Sequence, residues 1–193
     1  MSLVELIAQA DERGLAVSGL ACLDRCLPLL GGDDELLRPL WASLTEAAGA
    51  GDWGIGLEQA RAGLEDRAPD DEAALLARRM LAAAPAEPAA DPVRVWADAC
   101  SVASLQIHRL LDPAEDEASA DGALDSVRAG RTPAEGRAPG VPPLVAAELR
   151  RQITVLELLA GHGPAGLRRA LEVSTEGRRV LRAVVSRRTR NQG

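Results

Sequence analysis

The sequence predicts an all-α protein, an irregular helical bundle or short helical array of about seven to nine helices. Three observations carry that reading. Leu and Ala dominate a chain that is 47% hydrophobic, Ile, Val and Thr are comparatively sparse, and Phe and Tyr are absent, so propensity favours helix and offers few strands. Apolar residues recur at spacings of three and four between breaks marked by Gly and Pro. Several of these segments open on Ser, Asp or Pro, the residues that cap or start helices.

The first helix is expected after Ser2-x-x-Glu5, a capping box that leads into Leu3, Leu6, Ile7 and Ala10, with Gly14 closing it. Ser18 is positioned to cap a second, carrying Leu20, Leu23, Leu27 and Leu30 and disturbed by Pro28 before Gly31-Gly32. A third follows Asp33-Asp34-Glu35, or has its first turn at Pro39, and buries Leu36, Leu37, Leu40, Trp41 and Leu44. Asp52 begins a fourth, in which Gly54, Gly56 and Gly63 lower propensity but permit close helix packing. Asp70-Asp71-Glu72 begins a fifth, with Leu75, Leu76, Met80 and Leu81 inward.

The best-marked helix is 91–112, DPVRVWADACSVASLQIHRLLD, bounded by Asp91-Pro92 and Asp112-Pro113. Val93, Trp96, Cys100, Ala103, Ile107, Leu110 and Leu111 share one broad face, so it reads as a central core helix. Ala123, Leu124 and Val127 make at most a short helix. Pro142-Pro143 opens a strong one through Leu144, Leu149, Ile153 and Leu156 to Gly161, and Pro164 opens the last, with a break expected near Ser174 to Gly177. In domain terms, 1–83 is an N-terminal helical half, 84–90 an Ala/Pro linker and 91–193 a C-terminal half with a mobile loop at about 113–143, or else the whole is one compact domain.

Charge is unevenly spread. Residues 1–163 carry 14 Arg against 27 acidic residues, a net of −13, whereas 164–193 carry 8 Arg against Glu172 and Glu176, a net of +6. All 22 basic residues are Arg. The bias to Arg, Ala, Gly and Pro fits a GC-rich bacterial coding sequence. An odd number of cysteines and an N-terminal stretch without a signal pattern predict a soluble cytoplasmic protein with reduced thiols, and the hydropathy predicts no membrane partner.

Chemistry is less legible. Cys22, Cys26, Cys100 and His108 are the right residue types for zinc, but their spacing is not that of a finger or ribbon, so buried thiols are expected, with no metal and no cofactor. His108 and His162 are the only histidines, and neither is accompanied by a nucleophile elbow, a phosphate loop or a helical His-Glu pair, so no catalytic residue is assigned. Asp98 is interior to the 91–112 helix and four residues from Arg94, the spacing of an exposed ion pair; opposite an arginine of another helix it becomes a specificity determinant. The C-terminal arginines offer phosphate contacts, but no aromatic residue lies among them for base stacking.

Trp96, Ala97 and Cys100 in VWADAC, followed after some twenty residues by Ala123, Leu124, Asp125 and Arg128 in ALDSVRAGR, resemble a family of bacterial immunity proteins. In that family a Trp-Ala-Asp/Ala-Cys motif precedes an acidic, proline-containing loop and a further Ala-rich helix. The likeness spans roughly 95–130 and implies a small cytosolic all-α protein that binds and neutralises a partner.

These observations lead to a cytosolic, non-catalytic protein–protein interaction module. Its expected contact regions are the loop at 130–143, the Arg-rich last helix and the acidic run Glu115, Asp116 and Glu117; Trp96, Asp98, His108, His162, Arg168, Arg179 and Arg182 are the candidate binding residues. A helical enzyme or small-molecule binder with an inter-helical pocket near Trp96, His108 and His162 is a second reading, and a nucleic-acid accessory protein using the last helix is a third. The sequence leaves the oligomeric state and the identity of the partner open.

Overall fold

A computed structural model describes residues 1–31, 33–45, 48–49, 51–64, 71–112, 121–130 and 141–192. Among them are nine α-helices, one 3₁₀ turn and no strand. The chain is all-α, and no helix among the described residues is long and apolar enough to cross a membrane. The acidic run at 115–117 and most of the expected loop, 113–120 and 131–140, lie outside the described residues.

Helix α1 spans Leu3–Gln9 and has the capping box: Glu5 N donates to Ser2 Oγ (3.3 Å) and Ser2 N donates to Glu5 Oε2 (2.8 Å). Helix α2, Glu12–Cys26, starts seven residues earlier than a cap at Ser18 suggests. Asp11 is the true cap, accepting from Gly14 N at 2.7 Å, so Gly14 lies in the first turn of α2 and Ser18 is buried inside it. Pro28 ends the α-helical bonding, and Leu27–Leu30 continue as a 3₁₀ turn closed by Gly31 at φ +63°.

Helix α3 is Arg38–Ser43, with Pro39 in its first turn, and α4 is Asp52–Leu64. Gly56 brings α4 close to α3: a Cβ there would lie 3.3 Å from the backbone of Pro39 and Leu40. Helix α5, Glu72–Ala82, is capped by Asp71. The stretch after it is tied down by Trp53, whose Nε1 donates to Pro85 O at 2.8 Å. Helix α6, Ala90–Leu111, begins one residue before Asp91, which stands in its first turn where the dipole favours a carboxylate. Helix α7 is Asp121–Arg128, α8 is Pro143–His162 and α9 is Pro164–Gln192. Asp112 accepts from Leu144 N at 2.8 Å, capping α8 from across the bundle where Pro142 cannot. No break occurs at Ser174 to Gly177; α9 is continuous, with Ser174 Oγ donating back to Ala170 O.

One hydrophobic cluster runs from Leu3 through Trp96 to Leu181 and draws on both sides of the 84–90 stretch. Its axis is α2 rather than α6. Thirteen of the fifteen residues of α2 are buried, and α6, α8 and α9 pack around it. A helix buried all round has no amphipathic stripe, which is why periodicity picked out α6 instead.

Candidate functional site

The charged pair Asp24-Arg25 lies inside that buried helix, and each side chain is paired with an opposite charge on another helix. Arg25 forms a two-pronged pair with Glu148 of α8, Nε to Oε2 at 2.8 Å and Nη2 to Oε1 at 2.6 Å, with both residues fully buried. Glu148 Oε1 also accepts from Ser104 Oγ (2.8 Å) and Gln152 Nε2 (2.9 Å). Ser101 Oγ donates to Gln152 Oε1 at 2.6 Å and accepts from Arg128 Nε at 3.2 Å, and Arg128 Nη2 pairs with Asp98. A continuous polar row thus runs from the half-exposed Asp98 to the middle of the bundle, crossing α6, α7, α8 and α2.

His108 flanks this row. Its Nδ1–H donates to Ser104 O at 2.7 Å, which turns Nε2 toward Glu148 Oε2 at 3.6 Å, beyond hydrogen-bonding reach. Burial lowers the His108 pKa, outweighing the nearby Glu148 carboxylate, so the ring is neutral at pH 7. Burial opposes ionisation of Glu148 too, but the Arg25 charge, His108 and the hydrogen bonds outweigh it and hold the carboxyl down at about 2. Burial pushes the Cys22 thiol up to about 12 and raises Cys26 and Cys100 likewise, so all three are neutral thiols, free and enclosed.

The second charge cluster joins α2 to α9. Arg178 Nη1 donates to Asp24 Oδ1 (3.0 Å) and to Asp34 O (3.0 Å), and Arg182 clamps the Asp34 carboxylate. Burial raises Asp24 to about 6 despite Arg178 and Arg25 beside it. Its Oδ2 and Arg25 Nη1 are buried without a hydrogen-bond partner among the described residues. Elsewhere arginine serves as a cap for helix C-termini: Arg94 donates to Ile7 O and Ala8 O, Arg61 to Ala82 O and Ala84 O, and Arg188 to Leu110 O.

The candidate binding residues separate into three places. Trp96 is in the core, 3% exposed, with Nε1 donating to Met80 O and its ring edge-on to Trp53 at 5.8 Å between centroids. Asp98 stands at the outer end of the polar row and His108 beside its buried part, and Asp98 pairs with Arg128 of α7 while Arg94 turns to α1. His162, Arg168, Arg179 and Arg182 are on the surface at the end of α8 and along α9, His162 facing Arg169 at 3.2 Å and Arg168 facing Glu172. Sequence reasoning missed Arg25, Glu148 and Gln152. The signal was present in LACLDRCLPLL, where two adjacent charges interrupt a helix otherwise apolar on every side.

Surface grooves, about 280 Å³ beside Leu29, Leu110, Leu111 and Arg188 and about 450 Å³ beside Arg61 and Arg78, are not lined by His108, Glu148 or the cysteines. Among the described residues no group of three or more His, Cys, Asp or Glu is placed to hold a metal ion. Comparison with protein-family models, curated proteins and solved structures gave no match.

Proposed function

We propose that the protein is a cytosolic, non-catalytic binding protein that engages an acidic surface of a protein partner through the outer face of α9. The observation that supports this reading is how the chain divides its reactive groups. His108, Glu148 and the three cysteines are enclosed, while the other histidine, His162, stands exposed at the end of α8 facing Arg169. Seven of the eight arginines of α9 are exposed, Arg178 alone being buried against Asp24; Arg168, Arg179 and Arg190 share one helical face, with Arg169 and Arg187 together on one side of it. Such a ridge on a chain that is otherwise acidic steers an anionic partner into register, since the body repels misplaced approaches. A neutralising role of this kind agrees with what the resemblance around Trp96 to Arg128 implies.

Affinity capture from a host lysate tests it, at low and moderate salt, with nuclease treatment, using the native chain and R179E/R187E/R190E. The expected result is a stoichiometric, nuclease-resistant protein partner held by the native chain, weakened by salt and lost with the variant while its circular dichroism is unchanged. Retention of nucleic acid alone, or of the same partner by both chains, overturns the reading.

A further inference from the structure

Helix α7 is fastened to the bundle by one face. Of its residues from Leu124 to Arg128, Leu124 and Arg128 are buried, and four-residue spacing puts them on the same side of the helix. Leu124 rests on Leu105 of α6 and Val145 of α8, with Leu149 alongside, in a hydrophobic cluster separate from the main core. Arg128 reaches Ser101 Oγ with Nε and the Asp98 carboxylate with Nη2.

The surface that receives Leu124 and Arg128 is built by α6 and α8. Asp98, Ser101 and Leu105 form a stripe at spacings of three and four on α6, and Val145 and Leu149 form one at spacing four on α8. Together they make a groove with an acceptor end and an apolar end. Its floor does not depend on α7. Ser101 is held by Gln152, Gln152 by Glu148 and Glu148 by Arg25, so the deeper row keeps its hydrogen bonds when Arg128 is withdrawn. An eight-residue helix, by contrast, is too short to persist without tertiary contacts.

We propose that this groove is a docking seat for an amphipathic helix of a protein partner that presents leucine and arginine four residues apart, and that α7 is the intramolecular segment occupying it. The proposal rests on the protein-binding reading but uses a different face from α9. A partner helix displaces α7 by offering the same leucine to Leu105 and Val145 and the same guanidinium to Asp98 and Ser101. Occupation in cis lowers the apparent affinity for a partner by the fraction of time the seat is free. Asp98, half exposed at the open end, is where an incoming arginine first finds a carboxylate.

The test uses full-length protein and a fluorescein-labelled peptide of residues 121–130, titrated by fluorescence anisotropy. L124A/R128A, which empties the seat without altering it, is expected to bind the peptide at least about tenfold more tightly than the native chain. Adding D98N to that variant is expected to abolish the gain, and R179E/R187E/R190E to bind the peptide as the native chain does, which separates failure here from failure of the α9 reading. Equal affinity for the native chain and L124A/R128A, or no detectable binding to either, overturns the proposal. Should L124A/R128A lose the native circular dichroism, hydrogen exchange on the native chain decides. Amides of α7 are expected to exchange about a hundredfold faster than those of Ser101 to Leu111, and equal protection overturns it.

Discussion

Arg25 and Arg182 are the same residue type, each clamped to one carboxylate, and they do different work. Arg25 and Glu148 are fully buried, so each neutralises a charge that would otherwise sit in an apolar interior. Arg182 and Asp34 are each nearly half exposed, at 45% and 46%, and water screens their attraction. Inside the bundle, then, an arginine is a fixed part whose loss strands its partner. On the outer face of α9 it is a surface charge that can be exchanged at little cost to the fold, as a binding face requires.

The largest effect is expected from Glu148→Gln. It removes the charge that compensates Arg25 while nearly preserving shape, and it is expected to destabilise the protein by about 3–5 kcal/mol in urea unfolding. A loss below about 1 kcal/mol would put the interior pair in the same class as the surface one. Next in size is Gly19→Ala, on the other side of α2, where an added Cβ would come within 2.5 Å of the Trp96 ring. Overpacking costs about 1–3 kcal/mol and alanine's helix propensity returns about 1, so a net loss of up to about 2 kcal/mol is expected. Tryptophan fluorescence is expected to shift with it.

A pH series sharpens the contrast within α2. Asp24 is raised to about 6 in the folded state, so its contribution is full below its ordinary value near 3.8 and is lost as pH rises through 6. His108 is lowered, so its contribution is full above about 6.5 and is lost as pH falls. The two oppose each other between roughly pH 4 and 6.5. Asp24→Asn removes the first alone, so its stability is expected to fall relative to the native chain by about 1–2 kcal/mol as pH drops from 7 to 4. Urea midpoints that stay parallel over that range would show that Asp24 does not titrate there. The smallest effect is expected from Arg182→Ala, below about 1 kcal/mol and shrinking with added salt, because its pair with Asp34 is solvent-screened.

The sequence made the helices legible wherever a cap or a stripe was written locally, as at Ser2 and Glu5, at Asp71 and at Pro164. It misled where the decisive contact was distant. Asp11 and Ser18 are both competent caps, and the choice between them is made by burying Ser18 among α2's neighbours. Asp112 caps α8 only because folding brings it to Leu144. The α9 arginines were visible as a charge asymmetry, and Asp98 as a carboxylate awaiting a partner on another helix. Glu148 was invisible because a glutamate among Ala, Leu and Arg reads as an exposed position, and only its partner Arg25, 123 residues away in sequence, explains its burial.

Arg25 and Glu148 are buried for each other rather than for a ligand. The direct measurement is a double-mutant cycle in urea with R25L, E148M and the double variant R25L/E148M. Each single change strands a buried charge and is expected to lose about 3–5 kcal/mol, while the double variant, which replaces the pair by apolar side chains of similar size, recovers most of that loss. Losses that simply add in the double variant would contradict the claim.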